Sequence, residues 1–244
     1  MLCGPFPYYD EVHRAVTFVV SLFNQSEIVI AADTLELDGS LTPIDRPFHK
    51  IKSLGSHAFA ASGTNAGYDI RQYLLSNGFQ VDTKIEIAAK KFYLAAKEAY
   101  FALDFPKRKY NETSMLLAGF GDNGADVYIL KLPDGGIDSQ NSKCRASIGI
   151  GTLSEIFRNY HEPEMSRSER IQLAHFCVSL TAAKNISMVK EPIDIAVLTR
   201  TDGLAIYESE ANNSVHPFAE PFRKRSAAMV EQLDSFFLGL LPKN

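Results

Sequence analysis

No run of apolar residues in this 244-residue chain reaches the roughly 20 needed to span a bilayer, so no membrane-crossing helix is expected. The first sixteen residues do not read as a secretory leader either, because Asp10, Glu11, His13 and Arg14 interrupt any apolar segment. Cysteine is scarce. Cys3, Cys144 and Cys177 form no CxxC pair, which excludes a disulfide framework and a cysteine zinc site and fits a reducing, cytoplasmic setting. The six histidines are scattered, with neither HxxxH nor HExxH, so no metal site is expected. Basic residues are not in excess: 25 Lys and Arg stand against 29 Asp and Glu, the wrong balance for a nucleic-acid surface. The one basic cluster, Arg223-Lys224-Arg225, reads as a solvated helix start. Gly149-Ile150-Gly151-Thr152-Leu153-Ser154 lacks the third glycine of a dinucleotide-binding loop, and no cofactor is expected.

What remains is an ordinary globular composition, 45% apolar and 22% charged, long enough to bury a substantial core. Two apolar strands, about 17–23 and 27–33, are joined by the polar turn Asn24-Gln25-Ser26. HKIKSL (49–54) and HAFAAS (57–62) read as two further strands around Gly55. Helical spacing then covers 65–76, ending before Asn77-Gly78, a natural C-cap. A longer helix is expected at 83–103, with a capping box at Thr83 and Glu86. Ile85, Ala88, Phe92, Ala96, Ala99 and Leu103 mark its inner face, and Ile87, Ala89, Leu94, Ala95 and Phe101 lie opposite. Strands return at 114–121 and 125–132 around Asp122-Asn123-Gly124, and at 145–151. A helix opened by Thr152 and Glu155 follows, then one at 167–185 capped by Ser166 and Glu169, with Cys177 a core residue in it. The strand IDIAVLT (193–199), the turn 200–203, the strand LAIYE and a final helix at 223–241 complete the order. Strands segregated from helix pairs, with no linker between them, imply one α+β layered domain of two sheets covered by helices.

If the first two strands form a hairpin, Thr17 and Asp33 fall at the same end of it. A threonine hydroxyl is a weak nucleophile until a base takes its proton, and its own α-amine can do so if the threonine begins the chain. A nearby lysine lowers the proton affinity of such a cluster, and an aspartate orients the lysine. Lys50, read as a site-edge lysine contributing charge rather than packing, and Gly63, whose N–H can meet a developing oxyanion, complete the set.

These residues carry a resemblance. TFVVSLFNQSEIVIAAD, HKI, FAASGTNAGYDIRQYL and AAKNISMVKEPIDIAVLTRTDG, in this order from about 17 to 207, are similar to the proteasome-type N-terminal nucleophile hydrolases, which include 20S β subunits and their bacterial relatives. The resemblance implies a four-layer αββα sandwich of two antiparallel sheets. It also implies a threonine peptidase or amidohydrolase with Thr17 as nucleophile, Asp33 as orienting carboxylate, Lys50 as the charge-supplying amine and Gly63 as oxyanion donor. The family's serine between two glycines is replaced at Gly149-Ile150-Gly151. Its second aspartate falls in 185–190, where Ser187 stands at the corresponding place. Residues 1–16 read as an extension, a propeptide or mis-called start, ahead of a single domain over 17–244. Peptide or unfolded-protein substrates and a homo-oligomeric ring are the expected partners. A catalytically silent assembly subunit is the alternative, and a small-molecule-binding protein a third.

Overall fold

The computed structural model describes residues 17–36, 48–63, 66–103, 112–149, 160–184, 189–190 and 192–207. The helix expected after Thr152, the final helix at 223–241, the basic cluster at 223–225 and the Ser187 position lie outside the described residues.

The opening hairpin forms where alternating apolar residues can be buried on both faces. β1 (Phe18–Phe23) and β2 (Glu27–Asp33) are buried along their whole length and pair antiparallel, Val19 opposite Ala32 and Phe23 opposite Ile28. Their turn is locked by Asn24, whose Oδ1 accepts the N–H groups of Ser26 and Glu27, each at 3.0 Å. β3 (Lys52–Leu54) and β4 (His57–Gly63) begin a second sheet. β3 is shorter than the apolar pattern suggests, because His49 and Lys50 are turned to carboxylates of the first sheet rather than paired in a ladder.

Helix α1 (Ala66–Ser76) ends as its sequence requires. Gly78 takes φ +78° while Phe79 N–H reaches the Leu74 carbonyl at 2.9 Å and Gly78 N–H that of Leu75 at 3.1 Å, a Schellman closure. Helix α2 (Ile85–Ala102) buries the expected face through Ile85, Ala88, Phe92, Ala96 and Ala99. Two expectations for α2 are corrected. Thr83 and Glu86 make no capping box: Lys84 is the N-cap residue, its N–H bonds Asp82 Oδ1 at 3.3 Å, and the Glu86 carboxylate turns away to the Asp122 N–H. Ala89, assigned to the outer side, is fully buried, which leaves Ile87, Leu94 and Phe101 as an exposed stripe seven residues apart.

β5 (Thr113–Gly121) and β6 (Gly124–Leu132) pair around Asp122-Asn123. β7 (Gly136–Ser139), too short and polar to show a period in the sequence, extends the sheet. β8 (Arg145–Gly149) returns to the first sheet, followed by helix α3 (Arg167–Lys184), β9 (Ile193–Thr199) and β10 (Gly203–Tyr207). The α3 capping box is present: Glu169 N–H to Ser166 Oγ at 3.3 Å and Ser166 N–H to Glu169 Oε2 at 2.8 Å.

The two sheets are antiparallel, five strands each, in the orders β10-β9-β2-β1-β8 and β3-β4-β5-β6-β7. Three apolar layers join them and their helices. Phe18, Val20, Val29 and Ile195 pack on α3 residues such as Ala174, Cys177 and Val178. Phe59, Met115 and Leu117 pack on α1 and α2 through Ile70, Ala88 and Phe92. Between the sheets lies a layer rich in alanine, including Ala32, Ala58, Ala60, Ala118 and Ala196. This is the expected α+β, αββα sandwich. No helix among the described residues is long and apolar enough to cross a membrane.

Candidate active site

Thr17 stands at the head of β1 and is 6% exposed. The next residue ties it to the end of β2: Phe18 N–H donates to Asp33 Oδ1 at 2.9 Å. Gly149 closes the other side. It lies opposite Phe18 in β8 at φ +93°, and a Cβ there would stand 1.6 Å from the Thr17 carbonyl oxygen, so only glycine lets the strand approach.

Asp33 is fully buried, and its other oxygen, Oδ2, accepts the Lys50 ammonium at 2.7 Å and Leu35 N–H at 3.2 Å. The expectation of an edge lysine is corrected here. Lys50 is 2% exposed and forms one half of an enclosed ion pair, so it is bound up with folding as well as charge. Burial pushes the Asp33 carboxyl above its ordinary range, opposed by the charge and hydrogen bond of Lys50 and by the Phe18 and Leu35 N–H groups. Burial also pulls the Lys50 ammonium below its ordinary range, opposed by Asp33 and then by Asp194 and Glu36. The two shifts run toward each other, the carboxyl holding its proton more readily and the ammonium less readily than in water.

Gly63 ends β4 at φ +102° with its Cα against the Glu112 carbonyl, where a Cβ would sit 2.6 Å from that oxygen. Tyr68 of α1 connects this strand end to the lysine. Its hydroxyl lies 2.9 Å from the Lys50 carbonyl and 3.0 Å from the Ala61 carbonyl and accepts the Ala61 N–H at 3.2 Å. Burial pushes the Tyr68 phenol well above its usual range, so it stays a protonated donor. Edge-on contacts with Phe48 and Phe59, at 5.0 and 5.9 Å between ring centroids, fix the ring. The structure thus joins Asp33 and Lys50 directly, ties Asp33 to the N–H that follows Thr17, and links the Lys50 carbonyl through the Tyr68 hydroxyl to Ala61, two residues before Gly63.

Two further residues escaped the sequence reading. Asp194, fully buried in β9, has both carboxylate oxygens near His49 Nδ1, at 3.1 and 3.2 Å. The signal was present: Asp194 is the sole charge in the apolar run IDIAVLT. Among the described residues, no group of three or more His, Cys, Asp or Glu side chains is arranged to hold a metal ion.

No protein-family model matches this sequence, and no curated protein matches it significantly. Solved structures do match its shape. A Gly-1 mutant of Anbu from Hyphomicrobium sp. strain MC1 superposes with a TM-score of 0.70 at 19% identity, covering 93% of this chain and 99% of that one. The fold is that of Anbu. Anbu from Yersinia bercovieri, described as an ancestral beta-subunit, gives 0.69 at 15% identity over 93% and 98% of the two chains. A second Hyphomicrobium Anbu structure gives 0.67 at 17% identity over 93% and 99%. At such identities the likeness to Anbu is one of architecture alone: two antiparallel sheets with helices packed on them, the sandwich that the resemblance in the sequence implies.

Proposed function

We propose that the chain is a threonine-type N-terminal nucleophile amidohydrolase, a peptidase of a self-compartmentalising ring. The observation that supports this above others is the enclosed Lys50–Asp33 pair, 2.7 Å apart, with Asp33 also holding the N–H that follows Thr17. An isolated buried ion pair is poor stabilisation compared with apolar packing, so its presence beside a threonine favours a chemical role. In the reaction, Thr17 Oγ attacks the amide carbonyl while the Thr17 amine takes its proton. The Lys50 charge keeps that amine neutral, Asp33 fixes Lys50, and the Gly63 N–H meets the oxyanion. The amine then gives its proton to the leaving nitrogen, and water hydrolyses the Thr17 ester, regenerating the hydroxyl and releasing the acid.

The mechanism requires residues 1–16 to be absent from the active form, leaving Thr17 as residue one. A second reading, a silent assembly subunit of the same fold, is favoured by the 6% exposure of Thr17 and by Ile150 in place of the family's serine. Intact-mass measurement of the chain from its native host, combined with labelling by a β-lactone, separates the two. A chain beginning at Thr17 and acylated there supports the enzyme, and Thr17→Ala then abolishes labelling. Active protein that retains Met1 overturns it, and a full-length chain that never reacts leaves the silent subunit.

A further inference from the structure

Lys50 lies just outside a ladder that could have captured it. In the β3–β4 pair Leu54 stands opposite His57 and Lys52 opposite Phe59, so the same register carried two residues further sets Lys50 opposite Ala61. The turn between the strands has two residues, Gly55 and Ser56, which makes Leu54–His57 a hydrogen-bonded pair. Such pairs recur at every second position, so Lys50 and Ala61 would form one too. The Ala61 N–H and the Lys50 carbonyl would bond directly if the strands ran on. They do not, because the ladder stops at Lys52. The Tyr68 hydroxyl stands in the opening instead. It accepts the Ala61 N–H at 3.2 Å and lies 2.9 Å from the Lys50 carbonyl and 3.0 Å from that of Ala61, with one proton to offer the two oxygens. A single hydroxyl thus serves, across a wider gap, the backbone groups that a strand pair would have joined.

Two contacts hold this arrangement. Gly67 lets α1 come close to β4, since a Cβ there would stand 2.6 Å from that of Ala61, and Tyr68 is the next residue. Ahead of Lys50, the Phe48 N–H bonds the carbonyl of Thr34, the residue after Asp33, at 2.9 Å, and the Phe48 ring meets the Tyr68 ring edge-on. The chain entering Lys50 is therefore drawn to the end of β2, and its side chain, released from the pleat of β3, reaches Asp33 Oδ2 at 2.7 Å.

We propose that Tyr68 is a positioning residue for Lys50: its hydroxyl wedges the β3–β4 ladder open at the point where Lys50 must cross to Asp33. The effect on rate rests on the proposed reaction, whereas the placement of Lys50 does not. Without the hydroxyl, two courses are open to the chain. The strands stay apart, and the Ala61 N–H and Lys50 carbonyl lose their partner. Or they close into a direct bond and draw Lys50 away from Asp33. Both are costly only while the ion pair opposes closure. Where the pair is absent, closure costs little.

The test is urea unfolding of the full chain with Tyr68→Phe, which keeps the ring, in two backgrounds. In the native background the substitution should lower the unfolding equilibrium constant about tenfold or more. In Asp33→Asn/Lys50→Met it should lower it by no more than about threefold, a coupling that a merely structural tyrosine would not show. Equal losses in the two backgrounds overturn the proposal, as does a Tyr68→Phe chain that fails to fold even without the ion pair. A Tyr68→Phe chain that folds only without the pair supports it. In the chain beginning at Thr17, Tyr68→Phe should slow β-lactone acylation at saturating probe about tenfold or more, with the half-saturating concentration unchanged. A maximal rate left intact, or a loss confined to probe affinity, overturns the proposal and decides the matter if the Asp33→Asn/Lys50→Met background does not fold. If the native chain shows no acylation, the proposed reaction fails while the unfolding comparison still decides the role of Tyr68.

Discussion

Asp33 and Lys50 make a bond whose worth shows only when it is broken. Removing one partner leaves the other charged and enclosed, at a cost of about 3–5 kcal/mol. Lys50→Met and Asp33→Asn should each lower the unfolding free energy obtained by urea titration by that order. The double variant Asp33→Asn/Lys50→Met should cost clearly less than the sum, since neither charge is left alone. Additive losses in such a cycle would mean that the two side chains do not interact as described. Sequence spacing identified both residues but set Lys50 at an edge, because a strand pattern carries no information on which residue of another sheet lies across from it. His49 and Tyr68 were missed for the same reason: their partners are 145 positions away in one case and split between 18 and 7 in the other.

Among the elements, local signals decided what was legible. The Ser166–Glu169 box was readable because both partners lie within one turn of α3, and Ser166→Ala should cost about 1 kcal/mol, measured by thermal or urea unfolding. The Thr83–Glu86 pattern was equally plain in sequence, yet Asp82 supplies the bond to the Lys84 N–H and Glu86 is drawn to the β5–β6 turn. Just ahead of α3, His161 is 5% exposed with neither ring nitrogen hydrogen-bonded. Burial, together with the Arg170 and Arg145 charges, lowers its pKa from the ordinary 6.5 to about 4. The unfolded chain therefore binds the proton more readily. The stability this neutral ring contributes is complete above about pH 6.5 and is lost as pH falls toward 4, on the order of 1–3 kcal/mol in all. Unfolding midpoints compared at pH 7 and pH 4 should drop less in His161→Gln than in the native chain. An equal drop would assign the acid sensitivity elsewhere.

The whole molecule was largely written in periodicity. Strand and helix runs located both sheets, and the change of period at Gly63 marked the passage from sheet to helix layer. β7 escaped because four mixed residues show no period, and the strand orders were not legible, since a strand's pattern does not say which strand lies beside it. Assembly is a question at this scale. Ile87, Leu94 and Phe101, the last two 62% and 50% exposed, line one side of α2, and apolar stripes of this kind mark contact surfaces. Light scattering should return a multiple of the 27.0 kDa chain mass. Leu94→Glu should reduce that multiple without altering the unfolding midpoint. A native chain that stays at one chain mass at micromolar concentration would rule out the ring.

The alanine layer between the sheets bears on how the proposed reaction would be tuned. Asp33 and Asp194 belong to one sheet, whereas Lys50 leads into the other, so the gap between sheets is also the gap that the Lys50–Asp33 bond spans. Methyl groups at Ala32, Ala58, Ala60 and Ala196 act as spacers of minimal thickness. Thickening one of them by two carbons would work like a shim. Every local bond could survive within its own sheet while the distance between base and carboxylate lengthened. The proposed reaction would thus be open to drift through residues that bear no charge and touch no substrate, its strength calibrated by the width of a hydrocarbon seam.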